Sequence, residues 1–136
     1  MSYISISPSP ASRQITILLV EDEVLIAFTE KRQLEGEGYH VIHVLSGEEA
    51  IERVNAAPLS IDLVLMDINL GDGLDGTQAA QQILACHNIP ILFVSAHNDK
   101  ATVEKTEKIT SYGYVVKNSS PAVLFASVKM ALKLFN

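Results

Sequence analysis

From Ile15 onward, short uninterrupted apolar runs alternate with stretches in which apolar residues recur every three or four positions. The run ITILLV (15–20) has no polar break, the pattern of a strand covered on both faces. A helical stretch follows over 24–37, with Val24, Ala27, Phe28 and Leu34 expected on one side and Gly36 and Gly38 ending it. YHVIHV (39–44) alternates more weakly and carries two histidines, which suits an edge strand. SGEEAIERVN opens with Ser46 and has Glu49 three positions on, a capping-box pattern that starts a second helix. IDLVLM (61–66) predicts the third strand, and a helix over 76–87 places Ala80, Ile83, Leu84 and His87 on one face. IPILFVSA gives a fourth strand, the charged stretch 100–108 a weak helix, and YGYVVK a short fifth strand. The last helix has Ser119 or Ser120 as its cap, Pro121 in its first turn, and a stripe of Leu124, Val128, Ala131, Leu132 and Phe135.

Five strands alternating with five helices predict an α/β fold, a doubly wound parallel sheet covered on both faces. The 136 residues suit one domain, read here as a flexible Ser- and Pro-containing leader over 1–14 followed by a folded unit over 15–136. Apolar residues make up 48% and charged residues 19%, a globular rather than a disordered mixture. The net charge of −6 argues against nucleic acid or an anionic membrane as the main partner. No apolar run is long enough to span a bilayer, and the first residues lack the basic and apolar regions of a signal peptide. The one cysteine, Cys86, cannot form an internal disulfide and reads as a small apolar residue near a helix end. A cytoplasmic location is expected.

In an open sheet of this kind the site lies beyond the carboxyl ends of the strands, where the strand order reverses. Glu21, Asp22 and Glu23 follow the first strand, Asp67 ends the third, Ser95 the fourth and Lys117 the fifth. Carboxylates crowded together repel unless a cation sits among them, and an all-oxygen set with open positions fits Mg²⁺. A metal ion and a lysine together can neutralise a phosphoryl group, with a carboxylate as its acceptor. Two other readings of 67–78 fail. GDGLDG (71–76) spells a dinucleotide-binding fingerprint, but Asp72 and Asp75 would repel a pyrophosphate and the loop follows the third strand rather than the first. A calcium loop starting at Asp67 would need Gly at position six and Glu at position twelve, where Asp72 and Gln78 stand. His40 and His43 lie three apart on a strand and so point to opposite faces, and His87 and His97 have no matching pair, which speaks against zinc.

The pieces LLVEDE, DLVLMDI, FVSA and GYVVK, in this order and strand context, resemble the receiver domain of response regulators in two-component signalling. The resemblance covers nearly the whole chain from Ile15 to Phe135 and implies a flavodoxin-like sheet of order 2-1-3-4-5. It implies Asp67 as the phosphorylated residue, with Mg²⁺ held by Glu21, Asp22, Asp67 and the backbone carbonyl of Asn69. It implies Ser95 and Lys117 as the groups that meet the phosphoryl oxygens, and Tyr114 as an aromatic switch behind Ser95. A histidine kinase or histidine phosphotransfer protein is the implied donor. A downstream protein or covalently attached output domain is the implied receiver of the signal, through the face of the fourth helix, fifth strand and last helix. A homodimer through that face is compatible with the sequence. Such a domain is no enzyme beyond taking phosphoryl groups from small donors and slowly losing them.

Two departures from the family pattern stand out. The loop INLGDGLDG lacks a proline and is about one residue longer, so a different shape and, with Gly71 and Gly73, greater mobility are expected. Lys117 is followed by Asn118 rather than proline, which leaves the turn into the last helix open. Two alternatives compete with the receiver reading. One is a pseudo-receiver that binds partners without phosphorylation; the other is a small aspartyl-phosphate phosphotransferase, for which Asn69 in place of a second aspartate removes the general acid. Whether the chain acts alone or as a segment of a larger kinase or regulator stays open.

Overall fold

The computed structural model describes residues 13–96, 100–110, 112–117 and 119–135. Most of the leader, His97 and Asn118 lie outside the described residues. Five strands, β1 (Thr16–Val20), β2 (His40–Val44), β3 (Leu63–Asp67), β4 (Ile91–Ser95) and β5 (Tyr114–Val116), form one parallel sheet in the order β2-β1-β3-β4-β5. The helices are α1 (Val24–Gly36), α2 (Gly47–Ala56), α3 (Gly76–Cys86), α4 (Lys100–Ile109) and α5 (Pro121–Phe135), with a single 3₁₀ turn at Pro58–Ser60. This is the doubly wound α/β architecture expected, with β1 and β3 adjacent at its centre.

Each central strand divides its side chains between the two faces because successive residues point in opposite directions. Ile17 and Leu19 of β1, Leu63 and Leu65 of β3, and Leu92 and Val94 of β4 face one layer, with Ala27 and Leu34 of α1 and Leu124, Val128 and Ala131 of α5. Leu18, Val20, Val64, Met66, Ile91 and Phe93 face the other, with Ala50 and Val54 of α2 and Ala79, Ala80 and Ile83 of α3. That double burial is why these strands read as unbroken apolar runs. Each fully buried Leu or Ile contributes roughly 1.5–3 kcal/mol relative to exposure.

The helix ends follow their caps. Ser46 Oγ accepts from the Glu49 amide at 3.1 Å, while the Glu49 carboxylate accepts from the Leu45 amide at 2.9 Å, a variant of the predicted capping box. Asp75 and Gln78 form a full capping box at the start of α3. Arg13, placed in the leader by sequence, is paired through both terminal nitrogens with Asp62 at 3.0 and 2.8 Å. Asp62 also accepts from the Thr16 amide, tying the approach to β1 to the approach to β3. Cys86 is the exposed last residue of α3.

The face of α1 differs from expectation. Ala27 and Leu34 are buried, but Val24 and Phe28 are 63% and 58% exposed. Its first two turns are apolar on nearly every side (Val24, Leu25, Ile26, Ala27, Phe28), so periodicity cannot choose the buried stripe there. The seven-residue step from Ala27 to Leu34 turns it instead toward β1, bringing Glu30 and Lys31 partly inward. No helix among the described residues is long and apolar enough to cross a membrane.

Candidate functional site

The carboxyl ends of β1, β3, β4 and β5 meet at one corner of the sheet. Asp67 is the last residue of β3 and Glu21 follows β1 directly; both are almost fully buried, at 2% and 1% exposure. Ligand oxygens of Glu21, Asp22 and Asp67 lie within 4.8 Å of one another. Lys117, one residue past β5, reaches across β4 and places Nζ 2.9 Å from Asp67 Oδ2 and 3.0 Å from Glu21 Oε1. Its own amide donates to the Ser95 carbonyl at 2.7 Å, continuing the β4–β5 ladder and fixing where the side chain starts. Glu23, on the rim, stands 3.9 Å from the ammonium.

The remaining oxygens are largely committed. Asp67 Oδ1 accepts from the Asn69 amide at 3.2 Å, which folds the Asn69 backbone back over the carboxylate. Glu21 Oε2 accepts from the Glu23 amide at 3.1 Å, so the acidic run does shape the entry to α1 as well as the site. Glu21 Oε1 is buried, and its contact among the described residues is the ion pair with Lys117 at 3.0 Å. A cluster of three carboxylates whose ligand oxygens lie this close fits a hard divalent cation, which takes oxygen donors of this kind.

Burial pushes the Glu21 carboxyl up to about 7, against the hydrogen bond from Glu23 and the contact with Lys117. Asp67 is also raised because desolvation outweighs the lysine and its hydrogen bonds. Lys117 is raised: desolvation opposes its charge, but the two carboxylates override it. Raised carboxyls make the folded chain bind protons that the unfolded chain has released above its ordinary carboxylate pKa. In metal-free buffer, this contribution to stability is therefore complete below about pH 4.5 and fades as pH rises through about 7. The melting temperature in EDTA is expected to fall from pH 5 to pH 8, and Glu21→Gln to flatten the fall; a native profile already flat over that window would contradict the assignment.

Ser95 is fully buried at the end of β4, paired in register with Val116. Tyr114 pairs with Phe93 and packs against the α2/α3 side of the core, and its buried hydroxyl has no hydrogen-bond partner among the described residues. Adjacent register positions of parallel strands share a face, so Tyr114, Val116 and Ser95 lie on the same side of the sheet.

Several supporting residues were not singled out by sequence reasoning. The β3–α3 loop is anchored where Glu48 of α2 accepts from the Leu74 amide at 3.0 Å and where Asp75 caps α3. Gly71, at φ +70°, brings the loop to Asp22: a Cβ there would stand 3.3 Å from Oδ2. His43 Nε2 hydrogen-bonds the Glu21 carbonyl at 2.7 Å, bracing the loop from the sheet edge. The Asp75-x-x-Gln78 spacing was a readable capping signal; the Glu48 and His43 contacts carry no local signature.

Fold and site together define a flavodoxin-like domain with a cation-ready carboxylate cluster and a lysine at its topological switch point. The chain belongs to the response regulator receiver domain family, whose family model matches residues 17–129. It is 35% identical over 121 residues to the uncharacterized transcriptional regulatory protein YrkP of Bacillus subtilis, covering 88% of this chain and 50% of that protein. It is 29% identical to sensor kinase CckA of Brucella abortus over 90% of this chain and 13% of that protein. Its fold matches the crystal structure of the N-terminal domain of a response regulator/sensory box/GGDEF 3-domain protein from Carboxydothermus hydrogenoformans with a TM-score of 0.81 and 43% identity, over 88% and 95% of the two chains. The chain thus spans about half the length of such curated regulators and a small part of the kinase.

Proposed function

We propose that the domain accepts a phosphoryl group on Asp67 from a histidine kinase or histidine phosphotransfer protein. The observation that carries the reading is Asp67 itself, buried at the end of β3 with Lys117 Nζ at 2.9 Å and the carboxylates of Glu21 and Asp22 beside it. A carboxylate oxygen of Asp67 forms the new bond to phosphorus as the phosphorus–nitrogen bond to the donor imidazole breaks, and the imidazole keeps the electron pair. Mg²⁺ held by Glu21, Asp22, Asp67 and the Asn69 carbonyl would supply positive charge for the phosphoryl oxygens. Lys117 adds the second positive charge, and its two present partners hold the ammonium in position before any donor arrives. Ser95 and Lys117 then bond the phosphoryl oxygens. Tyr114, whose hydroxyl has no hydrogen-bond partner among the described residues, re-packs behind Ser95, altering the α4–β5–α5 face presented to a downstream protein or attached output domain.

The test is intact mass after incubation with acetyl phosphate, with and without Mg²⁺. The native chain is expected to gain one phosphoryl adduct that needs magnesium and is labile to hydroxylamine, and Asp67→Ala to gain none. An adduct that survives in Asp67→Ala would move the acceptor elsewhere. No adduct in the native chain from acetyl phosphate or a panel of kinase donors would favour a phosphorylation-independent binding platform. Turnover of generic phosphate esters would favour a phosphotransferase.

A further inference from the structure

On the α1/α5 side of the sheet, behind the reactive corner, a recess of about 340 Å³ opens between α1, the end of β5 and the first turn of α5. That size falls within the roughly 300–1,000 Å³ of small-molecule pockets. Its walls are largely apolar, with Leu25 from α1, Val115 from β5, and Pro121 and Leu124 from α5, and include the polar Thr29 and Gln33 of α1. One ionisable group on these walls has no use in the chemistry described above. Glu30 lines the recess, half-buried, and its carboxylate forms no hydrogen bond or ion pair among the described residues. Lys117 shares the wall, but its ammonium is directed to Asp67 and Glu21.

A carboxylate withdrawn from water without a donor is unfavourable, and the molecule reflects this: burial and the nearby Glu21 charge push Glu30 up to about 7, against the weaker attraction of the Lys117 ammonium. Above that pH, a largely apolar recess whose wall carries a carboxylate with no hydrogen bond or ion pair among the described residues is complementary to a cation carried on an apolar body. It is unsuited to anions, which Glu30 repels, and to a bare metal ion, which would find one carboxylate where several oxygens are needed.

We propose that this recess binds a small organic cation, an amidine or primary amine on a flat apolar framework, with the charge paired to Glu30 and the framework between Leu25, Pro121 and Leu124. The site adjoins the phosphoryl-accepting corner through Lys117, which lines both, but does not depend on its chemistry.

The test uses benzamidine as the probe and benzamide, of the same shape without the charge, as its control, followed in two-dimensional amide spectra of the folded chain. Benzamidine is expected to give saturable shifts within residues 24–33 and 115–124, with benzamide about tenfold weaker or more. Glu30→Gln should make the two probes equal, and Thr29→Phe, which keeps the carboxylate and fills the recess from α1, should abolish binding of both. Equal binding of the two probes to the native chain would overturn the proposal. So would shifts centred on Glu21, Asp22 and Asp67, or no shifts up to about 10 mM, a level that samples millimolar dissociation constants.

Discussion

Lys117→Met is expected to destabilise the metal-free domain at pH 8 by about 3–5 kcal/mol, the cost of removing one partner from a buried ionic cluster. The substitution nearly preserves volume but leaves Glu21 and Asp67, whose side chains are each 1% exposed, facing one another without a cation. Burial raises both carboxyls even with the lysine in place, so without it they take up protons more readily still. Because the folded state then holds protons the unfolded chain lacks, the loss should shrink as pH falls toward 5. Saturating Mg²⁺ should also restore part of it by supplying charge to the same oxygens. Urea denaturation at pH 5 and pH 8, with EDTA or Mg²⁺, gives the four values needed. A loss independent of pH and metal would mean that Lys117 acts through packing, not as the counter-charge.

Gly76→Ala is expected to reverse the usual sign of a glycine-to-alanine change in a helix. Alanine ordinarily gains up to about 1 kcal/mol in such a setting. At Gly76, however, the added Cβ would run into the Asp67 carbonyl oxygen and stand 2.8 Å from the Ile68 Cα. These are backbone atoms of the acceptor strand's end and cannot rotate aside. The start of α3 must back away, weakening the 2.8 Å hydrogen bond from the Gly76 amide to the Ile68 carbonyl. A loss at or above the upper end of the roughly 1–3 kcal/mol range for overpacking is expected, together with slower labelling of Asp67. Gly36→Ala is the matched control: it lies at the end of α1 with nothing within 4 Å of the added carbon, so it should be neutral or stabilising. Equal urea midpoints for the two variants would show that α3 yields easily.

What the sequence made legible follows from what strand ends and periodicity encode. Glu21, Asp22, Asp67, Ser95 and Lys117 could be gathered in advance because a parallel sheet places successive strand ends on one side, whatever the helices do. That Glu21 and Asp67 both reach Lys117 Nζ follows from the adjacency of β1 and β3. Glu30 was illegible for the opposite reason. On a helix apolar nearly all round its first turn, a glutamate reads as part of the solvated face, and its place in the wall of a recess depends on how α1 packs beside β5 and α5. Val24 and Phe28 were misplaced by the same ambiguity. Gly76 was legible as the start of a helix; that it is also a close approach of two backbones carries no local signal.

The strand order also governs how the chain can be built from its N-terminal side. β1 is the first strand in the sequence, yet it ends between β2 and β3. Its second partner, Leu63–Met66, does not exist until the chain has grown well past α2. At translation rates of about 5–20 residues per second, the interval from Val20 to Met66 is roughly 2–9 s. Throughout it, one edge of a strongly apolar strand has no partner from β3. Glu21, Asp22 and Glu23 immediately follow that strand, the flanking position at which charged residues disfavour pairing with the wrong strand.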